Sequence, residues 1–81
     1  MTSGTDPVDN YLIYVVDDDD ATRVSLATFL VDNGMRVLHS GSGNAVLPAV
    51  LQESPDLVLM DLRLPDRDGM EVLGELRGKT P

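Results

Sequence analysis

The sequence contains no cysteine among its 81 residues, and its longest unbroken apolar run, YLIYVV, is short. The lack of cysteine excludes a disulfide scaffold, a thiolate metal site and cysteine catalysis. No run approaches the ~20 apolar residues that a membrane-spanning helix needs. The first ten residues, MTSGTDPVDN, also lack the basic and apolar regions of a signal peptide. The sequence therefore predicts a cytoplasmic protein that does not enter a membrane.

Basic residues are few and scattered along the chain. There are 6 Lys and Arg residues against 14 Asp and Glu residues, which gives a formal net charge of −8 at pH 7. This excess of negative charge disfavours direct binding to DNA, RNA or anionic membranes, because those partners are themselves polyanionic. The length permits one domain. We expect its stability to be marginal, because a domain of this size buries only about 60–65% of its unfolded surface.

Strand-like segments alternate with helix-like segments after a polar leader, residues 1–10, that we expect to be disordered. Continuous apolar runs rich in β-branched residues are typical of strands covered on both faces, and apolar residues three or four positions apart indicate helices. Pro48 fits only a first helical turn, so the second helix is expected to be short, to start late or to bend. The predicted strands are Tyr11 to Val16, Met35 to His39 and Leu57 to Met60, and the predicted helices lie within residues 21–33, 44–53 and 69–77.

Local signals predict where the first and third helices begin and end. Asp19 or Asp20 is suited to cap the N-terminus of the first helix. Gly34 lies where a left-handed residue would end that helix. By the same reasoning, Asp68 is expected to cap the third helix and Gly78 to end it.

The element order βαβαβα predicts an α/β fold. Such an order is typical of a parallel sheet with right-handed crossovers and helices on both faces. Ligands of these sheets bind beyond the carboxyl ends of the strands. Candidate functional residues are therefore sought where the predicted strands end.

Acidic residues follow two of the predicted strands. The first strand is followed by Asp17, Asp18, Asp19 and Asp20, and the third by Asp61. We interpret Asp19 and Asp20 as a solvated loop with a helix cap. If the first and third strands are neighbours, Asp17, Asp18 and Asp61 converge.

Two carboxylates about 4 Å apart repel by about 4 kcal/mol at an effective dielectric of 20, so the cluster must take up protons or bind a cation. Oxygen ligands without His or Cys favour Mg²⁺ over Zn²⁺.

Three sequence segments carry a family resemblance. The run YVVDDDDATRVSL, the pair Ser42-Gly43 and the run PDLVLMDLRLPDRDGMEVL together resemble the receiver domain of two-component response regulators, over about residues 11–78. The resemblance implies a flavodoxin-like parallel sheet with strand order 2-1-3. It also implies that Asp61 is a phosphoacceptor, which takes a phosphoryl group from a phosphohistidine of a sensor histidine kinase.

The resemblance further implies a Mg²⁺ cofactor and its ligands. Asp18 and Asp61 would bind the ion directly, together with the backbone carbonyl of Arg63, and Asp17 would contact it mainly through water. Pro65 and Gly69 would shape the loop after the third strand. The protein would be a signalling component, most readily part of a transcriptional regulator, rather than an enzyme.

Residues 11–81 correspond to the N-terminal part of a receiver, so strands four and five and helices four and five would be absent. The Ser or Thr that ends strand four in the family and the Lys that ends strand five would be absent with them. The third strand, LVLM, would then be an exposed apolar edge, and such edges pair with other chains. We therefore expect a homodimer or a rearranged oligomer formed through this edge.

Two other functions are compatible with the residues. One is a phosphorylation-incompetent receiver fragment that acts as a dimerisation or interaction module. The other is a haloacid-dehalogenase-like phosphohydrolase, because Asp18-Asp19-Asp20-Ala21-Thr22 superficially resembles the DxDxT nucleophile motif of that family.

Overall fold

The computed structural model describes residues 11–79 and shows a three-stranded parallel sheet with helices on both faces. The strands lie in the order β2-β1-β3, which confirms the predicted α/β fold and the strand order 2-1-3. The predicted disordered leader, residues 1–10, lies outside the described residues. In chain order the elements are β1 (Leu12–Val16), α1 (Asp20–Asp32), β2 (Arg36–Ser40), a 3₁₀ turn (Gly43–Ala45), α2 (Val46–Glu53), β3 (Leu57–Met60) and α3 (Gly69–Lys79).

The central strand, β1, is buried along its whole length. Successive side chains of a strand point to opposite faces of the sheet. Tyr14 and Val16 accordingly belong to the apolar cluster on the α2 and α3 side. Ile13 and Val15 pack with Leu30 of α1 on the other face. This two-sided burial explains why β1 reads as a continuous apolar run.

The ends of α1 follow the predicted local signals. Asp19 is the N-cap, and its carboxylate accepts hydrogen bonds from the backbone N–H and the hydroxyl of Thr22. These bonds hold the pKa of the Asp19 carboxyl below its usual value. Beyond the end of α1, Gly34 has φ 90°, a backbone conformation that only glycine adopts readily. Both predictions are confirmed.

The second and third helices agree with the predictions except at the C-terminal end of α3. Pro48 lies in the first turn of α2, where its missing N–H has no helical partner to lose. The N–H of Met70 donates to the Asp68 carboxylate at 2.9 Å, so Asp68 caps α3. The prediction that Gly78 ends α3 is wrong, because the helix continues to Lys79. A helical glycine costs only about 1 kcal/mol relative to alanine, too little to stop a helix by itself.

The described helices also bear on membrane insertion. No helix within residues 11–79 is both long enough and apolar enough to cross a bilayer.

Candidate metal centre at the carboxyl edge of the sheet

The carboxyl ends of β1 and β3 bring three aspartates together. The strands pair in register up to Val16 and Met60, and the N–H of Asp61 donates to the carbonyl of Val16 at 2.9 Å. Asp17 and Asp18 leave β1 at the same edge. One carboxylate oxygen from each of Asp17, Asp18 and Asp61 lies within 4.8 Å of the other two. The structure thus assembles the three acidic residues that the sequence singles out.

The backbone orients two of these carboxylates in the same way. Oδ1 of Asp17 accepts a hydrogen bond from the N–H of Asp19 at 2.9 Å, and Oδ1 of Asp61 accepts one from the N–H of Arg63 at 2.9 Å. Aspartate commonly bonds the backbone two residues ahead in this manner. Each contact uses one oxygen and leaves the other to meet a ligand.

The three acidic residues differ in their exposure to solvent. Asp17 and Asp61 are partly buried, whereas Asp18 is exposed. A cavity of about 290 Å³ beside Asp17 and Asp61 is lined otherwise by apolar residues of β1, β3 and α1, including Leu26 and Met60. Partial removal of water strengthens the interaction of the two carboxylates with a cation.

The donor set fits a hard divalent cation. All three ligand groups are carboxylates, and the described part of the chain contributes no histidine to the cluster. Oxygen donors of this kind suit Mg²⁺, Mn²⁺ or Ca²⁺ better than Zn²⁺. The acidic cluster can therefore hold a metal ion.

The loop after β3 carries the other predicted site residues. Arg63 follows Asp61 by two positions and pairs with Asp68 through an antiparallel backbone bridge. Pro65 is exposed in this loop, and Gly69 is buried at its end. The Gly69 N–H donates to the carbonyl of Leu62 at 2.9 Å, so the loop closes on itself beside the cluster.

Close packing explains why the closing residue is glycine. A Cβ on Gly69 would lie 2.6 Å from the Cα of Leu62 and 3.0 Å from the carbonyl oxygen of Asp61. No side chain fits at that distance from backbone atoms.

Asp66 is a structurally important residue that the sequence reasoning missed. Its carboxylate accepts hydrogen bonds from the Ser42 hydroxyl at 2.7 Å, the Gly43 N–H at 2.8 Å and the Asn44 N–H at 2.9 Å. Together these donors lower the pKa of Asp66 to about 2. The available signal was the Ser-Gly-Asn turn before α2, whose free N–H groups are expected to attract an anion.

Arg23 is the second residue that the sequence reasoning missed. Its guanidinium donates to the backbone carbonyl of Asp17 at 2.8 Å, to Nδ1 of His39 at 3.1 Å and to the carboxylate of Asp20 at 2.7 Å. Only 14% of the Arg23 side chain is exposed. It therefore ties the loop after β1 to α1 and β2. The spacing of three residues from Asp20 was the only sequence signal for any of these contacts.

Comparison with known protein families finds a match over most of the chain. Residues 13–81 match the family model described as the response regulator receiver domain. The transcriptional regulatory protein KdpE of Mycobacterium tuberculosis is 39% identical over 67 residues, which cover 83% of this chain and 30% of that protein. The chain thus spans less than a third of the length of this curated relative.

Solved structures agree with that match. The crystal structure of the BeF₃-activated N-terminal receiver domain of Klebsiella pneumoniae RstA has a TM-score of 0.81 and 34% identity, covering 86% of this chain and 60% of that one. The chemotaxis response regulator CheY4 of Vibrio cholerae has a TM-score of 0.79 at 24% identity, covering 83% of this chain and 56% of that one. At that identity the likeness to CheY4 concerns the fold alone.

Proposed function

This chain belongs to the response regulator receiver domain family, and from that premise we propose that Asp61 accepts a phosphoryl group from a sensor histidine kinase. The observation that carries the proposal is the convergence of Asp61 with Asp17 and Asp18 at the carboxyl edge of the sheet. A carboxylate that lies among other carboxylates in a ligand-accessible hollow is a suitable nucleophile for an activated phosphoryl group.

The reaction is a phosphoryl transfer between two side chains. An oxygen of the Asp61 carboxylate attacks the phosphorus of a phosphohistidine, and an O–P bond forms as the N–P bond breaks. The electron pair of the broken bond leaves with the imidazole, which takes up a proton. The products are an acyl phosphate on Asp61 and a neutral histidine on the kinase. The hydrogen bond from the Arg63 N–H supports this role, because it restrains the orientation of the carboxylate.

Mg²⁺ is the cofactor that the donor set favours. Asp18 and Asp61 would hold the ion directly with the backbone carbonyl of Arg63, and Asp17 would hold it mainly through water. When bound, the ion supplies positive charge that offsets the repulsion between the anionic carboxylate and the anionic phosphoryl group. Arg23 supports the arrangement by fixing the backbone at Asp17.

Intact-mass spectrometry after incubation with acetyl phosphate tests the proposal. We expect a phosphate adduct on the 81-residue chain in the presence of Mg²⁺, and its loss with EDTA or in Asp61→Asn. Asp32→Asn removes the same charge from an exposed position on α1 and should leave the adduct unchanged. An adduct of equal yield in Asp61→Asn would refute the assignment of the nucleophile.

The wider role of the protein follows from its curated relatives. KdpE and RstA are named as transcriptional regulatory proteins, and we propose that this chain is the receiver of a transcriptional regulator in the cytoplasm. The net charge of −8 supports a regulatory segment that does not itself contact DNA. Fluorescence anisotropy with labelled duplex DNA should therefore show no binding by these 81 residues at physiological salt.

The edge of β3 favours a second candidate function, an interaction module. Within residues 11–79, β3 is hydrogen-bonded only to β1, and Leu57 at its start is 50% exposed. An apolar strand edge with unpaired backbone groups is a template for another strand. On this proposal two copies associate through β3.

Sedimentation velocity over a range of micromolar concentrations tests this association. We expect a dimer or larger species in the 81-residue chain, and a shift towards monomer in Leu57→Lys, because a charge on the edge opposes strand pairing. A folded monomer that is insensitive to concentration would rule out the interaction through β3.

The match of residues 13–81 to the receiver family model favours the receiver function over the phosphohydrolase alternative. Within the acidic run that suggested the phosphohydrolase, Asp19 caps α1 and accepts a hydrogen bond from the Thr22 N–H, whereas Asp18 belongs to the acidic cluster. We therefore retain only the receiver function and the interaction module.

A further inference from the structure

The loop between β3 and α3 is closed at its base. Arg63 and Asp68 form an antiparallel backbone bridge, and the N–H of Gly69 donates to the carbonyl of Leu62. The residues between these contacts form a short hairpin whose base lies next to Asp61.

The tip is held by the Asp66 anchor, which we define as the Asp66 carboxylate with its three donors. Oδ1 of Asp66 accepts from the Gly43 N–H, and Oδ2 accepts from the Ser42 hydroxyl and the Asn44 N–H. These donors lie 22 to 24 residues away in sequence, in the loop between β2 and α2. The anchor therefore joins two loops at the carboxyl edge of the sheet.

A second contact fixes the same hairpin in the core. Leu64 is 8% exposed and belongs to the apolar cluster that contains Val46 and Val72. Gly43 allows the loops to approach closely, since a Cβ there would lie 3.0 Å from the Cβ of Arg67 and 3.1 Å from a methyl of Leu64. The hairpin is thus held on one side by apolar packing and on the other by the Asp66 anchor.

Arg63 connects the restrained hairpin to the candidate site. The Arg63 N–H donates to Oδ1 of Asp61 at 2.9 Å, so the orientation of the Asp61 carboxylate depends on where the hairpin lies. Arg63 is also the residue whose backbone carbonyl is a proposed ligand of the cation. Only two residues separate Arg63 from Asp66.

We propose that Asp66 is a positioning residue for the acidic cluster. By holding the β3–α3 hairpin against the β2–α2 loop, it keeps the Asp61 carboxylate and the Arg63 backbone in the orientation that binds a divalent cation. This inference rests on the proposed phosphoacceptor site and extends it to a residue that touches neither the cation nor the phosphoryl group.

The anchor requires a carboxylate and tolerates no simple replacement. Three donors converge on two acceptor oxygens, whereas asparagine offers one oxygen and one NH₂ group. Whichever way the amide is turned, its NH₂ group faces a backbone N–H. Glutamate keeps the charge, but its additional methylene displaces the carboxylate from the positions in which it accepts from Ser42, Gly43 and Asn44.

Calorimetric titration of the 81-residue chain with MgCl₂ tests the inference. Loss of a group that orients metal ligands typically weakens metal affinity at least about 10-fold, and we expect a loss of that order in Asp66→Asn and Asp66→Glu. Ser42→Ala removes one hydrogen bond of the anchor without changing any charge, so it should weaken Mg²⁺ binding in the same direction by a smaller factor. Circular dichroism checks that each variant is folded.

Asp32→Asn is the control for charge alone. Asp32 is the last residue of α1, about 18 Å along the helix from its start beside the site. If Mg²⁺ binds Asp66→Glu and Ser42→Ala as tightly as the unmodified chain, and Asp66→Asn loses no more affinity than Asp32→Asn, then Asp66 acts only through its charge and the inference is wrong.

Amide hydrogen exchange, measured by NMR without any metal, gives an independent readout. We expect the Arg63 N–H to exchange faster in Asp66→Asn and Ser42→Ala than in the unmodified chain, while amides of β1 stay unchanged. Equal exchange of the Arg63 N–H in all proteins would also overturn the inference.

These experiments separate the two proposals. If the unmodified chain acquires no phosphate from acetyl phosphate, the phosphoacceptor function fails, whereas the titrations still decide whether Asp66 positions the cluster. If the adduct forms and the variants bind Mg²⁺ normally, only the positioning role fails. Where both hold, a high Mg²⁺ concentration should restore the phosphorylation rate of Ser42→Ala.

Discussion

Substitution of Gly69 by alanine is expected to destabilise the protein at the edge that carries the acidic cluster. The added Cβ would lie 2.6 Å from the Cα of Leu62 and 3.0 Å from the carbonyl oxygens of Asp61 and Leu62. All three neighbours are backbone atoms, so no flexible side chain can move to make room. Overpacking of this kind costs about 1–3 kcal/mol, and we expect Gly69→Ala to fall at the upper end of that range.

Gly74 provides a matched control on the same helix. A Cβ on Gly74 meets no atom within 4 Å, and alanine is favoured over glycine in a helix by about 1 kcal/mol. Gly74→Ala should therefore stabilise the protein by about that amount, whereas Gly69→Ala, at the first residue of α3, should be destabilised.

Urea denaturation followed by circular dichroism measures both free energies of unfolding. The two variants should differ by about 2–4 kcal/mol, which is the sum of the overpacking penalty and the propensity gain. A Gly69→Ala protein that is as stable as Gly74→Ala would refute the reasoning, because it would mean that the loop can move away from α3 without penalty. Because the displaced atoms belong to Asp61 and Leu62, we also expect Gly69→Ala to bind Mg²⁺ more weakly.

Three other predictions concern charged residues. Asp66 has a pKa of about 2 in the folded protein, below its value in the unfolded chain, so its stabilising contribution is present above about pH 4 and is lost as the pH falls towards 2. Urea denaturation at pH 6 and pH 3 should show a smaller loss of stability in Asp66→Asn than in the unmodified chain, and equal losses would contradict this. Arg23→Gln should reduce the free energy of unfolding by about 1–2 kcal/mol because it removes charge-assisted bonds, including that to the Asp17 carbonyl, and an unchanged urea midpoint would contradict this. Asp19→Ala should lower the thermal midpoint more than Asp19→Asn, since asparagine can still cap α1 and accept the Thr22 N–H, and equal midpoints would show that the cap is unimportant.

The parts of the fold that depend on local signals could be predicted from the sequence. The run YLIYVV predicts a strand buried on both faces, and β1 has that burial. Asp19 and Gly34 predict the ends of α1, because a capping side chain and a left-handed residue act within one helical turn. Gly78 shows the limit of such signals. Glycine permits a helix to end but does not force it, so the same residue occurs inside α3.

The acidic cluster could be predicted from the sequence, whereas the contacts that support it could not. Asp17, Asp18 and Asp61 are placed by the topology of a parallel sheet, whose strand ends share one edge. The contacts of Asp66 with Ser42, and of Arg23 with His39, join positions 24 and 16 residues apart. Nothing in the spacing of these residues indicates that they meet, because their contact depends on how two loops pack after the sheet has formed.

The distribution of polar and apolar residues itself argues for a binding function. The three carboxylates repel one another at 4.8 Å or less, and a sequence selected only for stability would not place them at the end of a fully buried strand. The fold tolerates the cluster because β1 is buried on both faces and because backbone N–H groups each engage one oxygen of Asp17 and Asp61. The repulsion among the carboxylates lowers stability, yet several loops hold them in place. Such an arrangement is expected at a site where a bound ligand supplies positive charge. A bound cation relieves the repulsion and stabilises the folded chain increasingly as its concentration rises above its dissociation constant. The same contacts that orient the site therefore connect occupancy of the site to stability of the domain.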